Sequence, residues 1–158
     1  MNRFISQDAL RKQMVERQIA GRGIRSARVL EAMSAVRREA YVPSYLGEFA
    51  YDDTPLPIEE EQTISQPYIV AVMTDALNLQ GGEKVLEIGT GSGYAAAILG
   101  QIAGEVYTIE RHAKLATSAS ERLAHDGFSN VHVRCGDGTL GWPEAAPFDA
   151  IVVAAGGP

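Results

Sequence analysis

Cysteine is almost absent from this chain. Of 158 residues only Cys135 carries a thiol, so no internal disulfide can form and no C-x-x-C pair is available for metal or redox chemistry. Placed at the end of an apolar stretch, Cys135 is expected to be a packed core thiol. Histidine is scarce too. His112, His125 and His132 have neither metal-ligand nor triad companions nearby, which argues against a metal site and a serine–histidine nucleophile. No apolar run reaches the ~18 residues of a membrane-spanning helix. The first residues, Met1 to Asp8, meet an acid too soon to hold an apolar leader core. A cytoplasmic protein with no membrane association is therefore expected. The basic residues are scattered and the net charge is −6, so no footprint for nucleic acid is visible.

What remains is a soluble-domain composition, 46% hydrophobic and 22% charged, with enough length for one core. The chain divides at about residue 78. Residues 1–78 read as helices and irregular segments. Leu10, Met14 and Ile19 fall near one face of a helix from Asp8 to Ala20, which Gly21 and Gly23 stop. Ser26 can cap a second helix that fades before Val42-Pro43. Residues 51–58 are rich in turn formers and hostile to regular structure. A third helix runs from Pro67 to Leu77, with proline in its first turn.

Residues 79–158 alternate strand and helix. Strands are expected at 84–88, 106–109, 131–133 and 148–154, and helices at Tyr94–Ala103 and Ala113–His125. Such alternation implies an α/β fold, a parallel sheet with helices on both faces and its ligand edge at the strands' C-terminal ends.

Three features gather on that edge. Val85-Leu86-Glu87-Ile88-Gly89-Thr90-Gly91-Ser92-Gly93-Tyr94 is a strand, a glycine turn and a helix start, a pattern that lets backbone approach a ligand closely. Glu110 ends the next strand, where an acid commonly grips ribose hydroxyls. Asp137, in Gly136-Asp137-Gly138, follows the third strand. The third glycine comes one residue too early for the dinucleotide fingerprint. Glu87 would repel a diphosphate, yet its carboxylate suits the ammonium and sulfonium of S-adenosylmethionine. The plainer reading of Glu87 is a capped, solvated strand end. Upstream, Gln62-Thr63-Ile64-Ser65-Gln66-Pro67-Tyr68 puts Ser65 at or just before a helix start. There it serves as an N-cap, or uses the helix's positive end to receive a carboxylate.

Taken in order, these stretches resemble the protein-L-isoaspartate (D-aspartate) O-methyltransferase family. So do Asp53-Thr54-Pro55-Leu56-Pro57-Ile58, Tyr107-Thr108-Ile109-Glu110-Arg111, Gly141-Trp142-Pro143, Pro147-Phe148-Asp149-Ala150-Ile151 and, near the start, Met14-Val15-Glu16-Arg17-Gln18-Ile19. The resemblance implies a Rossmann-like S-adenosylmethionine-dependent methyltransferase fold with an N-terminal helical extension. It implies methyl transfer to the free carboxylate of isoaspartyl residues in damaged proteins and peptides. It also implies Ser65 as the active-site residue. Cofactor contacts are implied at Gln62, Thr63, Ile64, Glu87, Gly89, Thr90, Gly91, Ser92, Gly93, Glu110, Arg111, Asp137 and Gly138. A small-molecule methyltransferase and a cofactor-binding but inactive module stand as alternatives, with a nicotinamide oxidoreductase more distant. Members of the family continue beyond the fourth strand, so the sequence is expected to be a fragment. The strand at 148–154 is then left with an apolar edge open to self-association.

Overall fold

The computed structural model describes residues 5–156. Met1–Phe4, on which the expectation of no leader core partly rests, lie outside the described residues, as do Gly157 and Pro158. The first helix, α1, spans Gln7–Gln13, with Ser6 accepting from the Ala9 N–H as its cap. It does not continue as a plain α-helix. A π-type turn follows at Met14–Ile19, then a 3-10 turn at Ala20–Arg22 that Gly23 ends in the left-handed region. The reason lies in the burial. Residues five apart on an α-helix point about 140° away from each other, whereas an i→i+5 turn returns them to one side. Met14 and Ile19 are both fully buried, so the wider turn is what puts them in one core.

Helix α2 is Ala27–Ala35, with Ser26 Oγ accepting from Val29 N as expected. The segment read as irregular holds a small antiparallel hairpin. Its strands are β1 (Leu56–Pro57) and β2 (Thr63–Ile64), with Leu56 opposite Ile64. Helix α3 follows at Pro67–Ala76. The second half then runs β3 (Lys84–Ile88), α4 (Tyr94–Ile102), β4 (Glu105–Glu110), α5 (Ala113–His125), β5 (Val131–Cys135) and β6 (Ala150–Val153). The four long strands form one parallel sheet in the order β5-β4-β3-β6.

Side-chain alternation divides the sheet's faces. Val85, Val106 and Val131 are register partners on one face and pack beneath Leu99 and Ala103 of α4. Leu123 of α5 joins the same apolar layer, beside Val131 and Val133. Both helices therefore cover one face, because two right-handed crossovers that step the same way across a sheet fall on the same side. The expectation of helices on both faces does not hold among the described residues. The opposite face is crossed by residues 136–149, which set Trp142 and Phe148 edge-on to Tyr107 at centroid distances of 5.0 and 5.7 Å. On that face Ile151 and Val153 of β6 are each 57% exposed. Cys135 is exposed as well, at the end of the edge strand β5, and is not the core thiol expected.

One buried cluster joins the two halves of the chain. It runs from Met14, Met33 and Tyr41 to Tyr94, Ile98 and Leu123. The N-terminal helices thus clamp α4 and hold the hairpin above the glycine turn. None of the described helices is long and apolar enough to cross a membrane.

Candidate active site

The glycine turn hangs between two strands. Gly89 N–H donates to Ile109 O of β4 at 2.9 Å, and Ala154 and Ala155 N–H donate to Ile88 O. Gly89 has φ +96°, and a Cβ there would lie 2.6 Å from Ala155 Cβ and 2.9 Å from Ala155 N. No other residue type satisfies both constraints. Glu110, the last residue of β4, braces the turn from below. Its Oε2 accepts from Gly91 N–H at 2.8 Å and its Oε1 from His112 N–H at 2.9 Å. A carboxylate has about four acceptor positions, so each oxygen keeps capacity for a ligand. Asp137 is exposed on the far wall. The Thr139 hydroxyl, with help from the Thr139 N–H, holds its carboxyl below the usual range.

The hairpin forms the opposite wall. Its tip, Glu59–Gln62, turns through left-handed backbone at Glu60 (φ 57°) and Glu61 (φ 54°). It leans on α5 through pairs at 3.9–4.0 Å, Glu59–Arg122, Glu60–Lys114 and Glu60–His112. Pairs of that length and exposure contribute little each. Ser65 sits in the corner between β2 and α3. It does not cap the helix, since the N-cap position falls to Gln66, which makes no side-chain cap bond. Asp53 does that work from a distance, its Oδ1 accepting from Tyr68 N–H at 3.2 Å while its Oδ2 receives Arg22 at 2.6 Å. The Ser65 hydroxyl is thereby released from a structural role.

Between the walls lies a cleft of ≈ 970 Å³. Gln62, Thr63, Ile64, Ser65, Gly89, Thr90, Gly91, Ser92, Glu110, Arg111, Asp137 and Gly138 all line it. Two residues of the expected set do not. Gly93 is the N-cap of α4 and packs against Leu123 of α5. Glu87 is fully buried in mid-sheet, contrary to a solvated strand end. Its Oε1 receives the Thr108 hydroxyl at 2.6 Å and its Oε2 has no partner. Burial above all, with the like charge of Glu110 adding to it, pushes its carboxyl up to about 8, while the Thr108 bond acts the other way. Raised in this way and not lining the cleft, the carboxyl is not a fixed negative charge set against a phosphate, contrary to the sequence expectation. Residues that sequence reasoning missed also line the cleft, among them Met73, Tyr94, His112 and Thr139. Spacing carries no signal for them, because separate elements bring them together. His112 alone had a clue, two residues past Glu110 on the ligand edge.

A parallel sheet with a glycine turn after β3, an acid ending β4 and a cleft along the strands' C-terminal edge is a Rossmann-like nucleotide-binding arrangement, and its structural relatives place it among the S-adenosylmethionine-dependent methyltransferases. The chain superposes on a solved protein-L-isoaspartate O-methyltransferase with a TM-score of 0.81 at 30% identity, covering 96% of this chain and 48% of that one. It also superposes on a Plasmodium falciparum protein assigned to that activity and solved in complex with S-adenosyl-L-homocysteine. There the TM-score is 0.76 at 25% identity, covering 94% and 73% of the two chains. The chain belongs to the protein-L-isoaspartate(D-aspartate) O-methyltransferase family, whose model matches residues 9–158. It is 63% identical over 150 residues to protein-L-isoaspartate O-methyltransferase 1 of Rhodopseudomonas palustris strain HaA2. That alignment spans 95% of this chain and 61% of the relative, less than two thirds of its length.

Proposed function

We propose that this protein transfers a methyl group from S-adenosylmethionine to the free carboxylate of isoaspartyl residues in damaged proteins, the first step of their repair. One observation carries the reading: the uncapped Ser65 hydroxyl and the Glu110-braced glycine turn open onto the same cleft. Its volume of ≈ 970 Å³ is at the upper end of the range for small-ligand sites. The residues suit an adenosyl amino acid. Glu110 would offer spare acceptors to ribose hydroxyls, Asp137 and Gly138 would lie beside the adenine, and Gly89–Ser92 with Gln62–Ile64 would hold the remainder. The cofactor supplies an electrophilic methyl on a sulfonium.

The acceptor needs no base, since a carboxylate with a reference pKa near 4 is ionised at neutral pH. Ser65 donates a hydrogen bond that orients it. Ile64, Val70 and Met73 give the cleft an apolar side. Alignment and exclusion of water are worth up to about 7–11 kcal/mol, so positioning alone accounts for much of such a reaction. A panel of acceptors tests the reading. Methyl esters should form on an isoaspartyl peptide and not on its aspartyl isomer or on small carboxylic acids. Transfer to small acids instead would make this a small-molecule methyltransferase. Cofactor binding with no transfer to any acceptor would make it an inactive binding module.

A further inference from the structure

Glu87 is connected to the cleft. Its Oε1 lies 2.6 Å from Thr108 Oγ1, and Thr108 Oγ1 lies 2.6 Å from Thr90 Oγ1. Thr90 lines the cleft. Glu87 and Thr108 are 0% exposed and Thr90 is 4% exposed. The chain therefore starts at a buried carboxyl and ends at the cleft. Little else satisfies Glu87, whose second oxygen is buried without a partner. No cation compensates it among the described residues of the surrounding elements. On β3, Lys84 is at the opposite end of the strand, bound to Ala145 O. On β4, Glu105 is at the far end beside His132, and Glu110, near the turn, is a like charge. Strand β6 and the glycine turn hold no ionisable side chain, and α4 has only the Tyr94 phenol, which faces Arg38. An ionised carboxylate with one hydrogen bond in such a site is costly.

We infer that the Glu87–Thr108–Thr90 chain is a polarity switch that reads the charge on the sulfur of the bound ligand. The inference rests on the cofactor reading above and concerns how the site tells sulfonium from thioether. With Glu87 ionised, Thr108 donates to it and Thr90 donates to Thr108, so Thr90 turns lone pairs toward the cleft. That state suits a cationic ligand. With Glu87 protonated, every donor reverses and Thr90 points its hydrogen into the cleft. When a sulfonium is seated, the Glu87 O–H bond breaks and the proton leaves along the two hydroxyls to water and buffer. When the methyl has gone and the sulfur is a neutral thioether, one proton returns from solvent by the same route. The product then loses the charge complementarity that held the substrate. The carboxyl's position near 8 puts the switch within reach of physiological pH.

The test is calorimetry on the full chain with S-adenosylmethionine and S-adenosylhomocysteine at pH 6, 7 and 8, in two buffers of different ionisation enthalpy. The sulfonium ligand should release more protons than the thioether. The ratio of their affinities should rise by up to about tenfold per pH unit and level above pH 8. In Glu87→Gln, and in Thr108→Val, which cuts the chain but keeps the carboxyl, that rise should flatten. Titration of the ligands' own amino groups persists unchanged in both variants and is thereby subtracted. Equal proton counts for the two ligands in the unmodified protein overturn the inference, whether or not either variant folds. So does the same pH slope in Glu87→Gln. Binding of neither ligand would remove the cofactor reading and this inference together.

Discussion

Replacing Glu87 with glutamine should change how stability depends on pH. The carboxyl is pushed up to about 8 in the folded chain, against an ordinary value of 4.5. The folded state therefore binds more protons than the unfolded state between those values, and stability falls as pH rises. The contribution is fully present below pH 4.5 and is lost as pH passes through 8. One proton gives a slope of up to about 1.4 kcal/mol per pH unit, so the loss from pH 5 to pH 8 is on the order of 4 kcal/mol. That is a large share of a typical stability of about 5–15 kcal/mol. Glutamine keeps the oxygen that Thr108 bonds and does not titrate. Urea melts of both proteins at pH 5, 6, 7 and 8 would measure the effect. The unmodified protein should lose stability relative to Glu87→Gln steadily across that range. Parallel profiles, with a constant difference, would mean that Glu87 does not hold its proton in the fold.

The other variants separate architecture from chemistry. Gly89→Ala combines a forbidden φ with a Cβ 2.6 Å from Ala155 Cβ and should cost about 2–5 kcal/mol in urea melts. Gly91→Ala, with φ +56° and its nearest neighbour 3.7 Å away, should cost only about 1 kcal/mol. Glu110→Ala strands the N–H groups of Gly91 and His112. It should weaken S-adenosylhomocysteine binding by about 1–3 kcal/mol in calorimetry, and unchanged affinity would remove it from the site. Ser65→Ala should leave the melting midpoint within the range of a neutral surface change, because Ser65 caps no helix. Its turnover on an isoaspartyl peptide should fall about 10- to 150-fold, the loss of one hydrogen bond to a charged group. A lowered midpoint with intact turnover would make the serine structural.

The parts of this fold visible in sequence are those where a short stretch carries its own physics. The strand, glycine turn and helix at 84–102 announced themselves by an apolar run, special backbone and alanine-rich continuation. Ser26 was legible as a cap for the same reason. The hairpin at 56–64 was not, since two-residue strands carrying Pro57 show no periodicity and exist because the N-terminal helices hold them. The π-type turn at Met14–Ile19 answers to a shared core, which a helical wheel does not contain. Ser65 was credited with a cap that Asp53, twelve residues earlier in the chain, provides for α3. Glu87 was read by its distance from a glycine, but what decides its chemistry is burial beside Thr108, a residue on the neighbouring strand.

If donor and acceptor meet in one cleft, a crystal structure of the chain with S-adenosylhomocysteine will place the cofactor beside Ser65. Density should show the ribose on Glu110, the adenine beside Asp137 and Gly138, and the sulfur facing the hairpin corner that carries Ser65. A ligand seated elsewhere, such as the smaller pocket of Tyr45, Leu115 and Arg122, would contradict it. So would a sulfur buried away from Ser65.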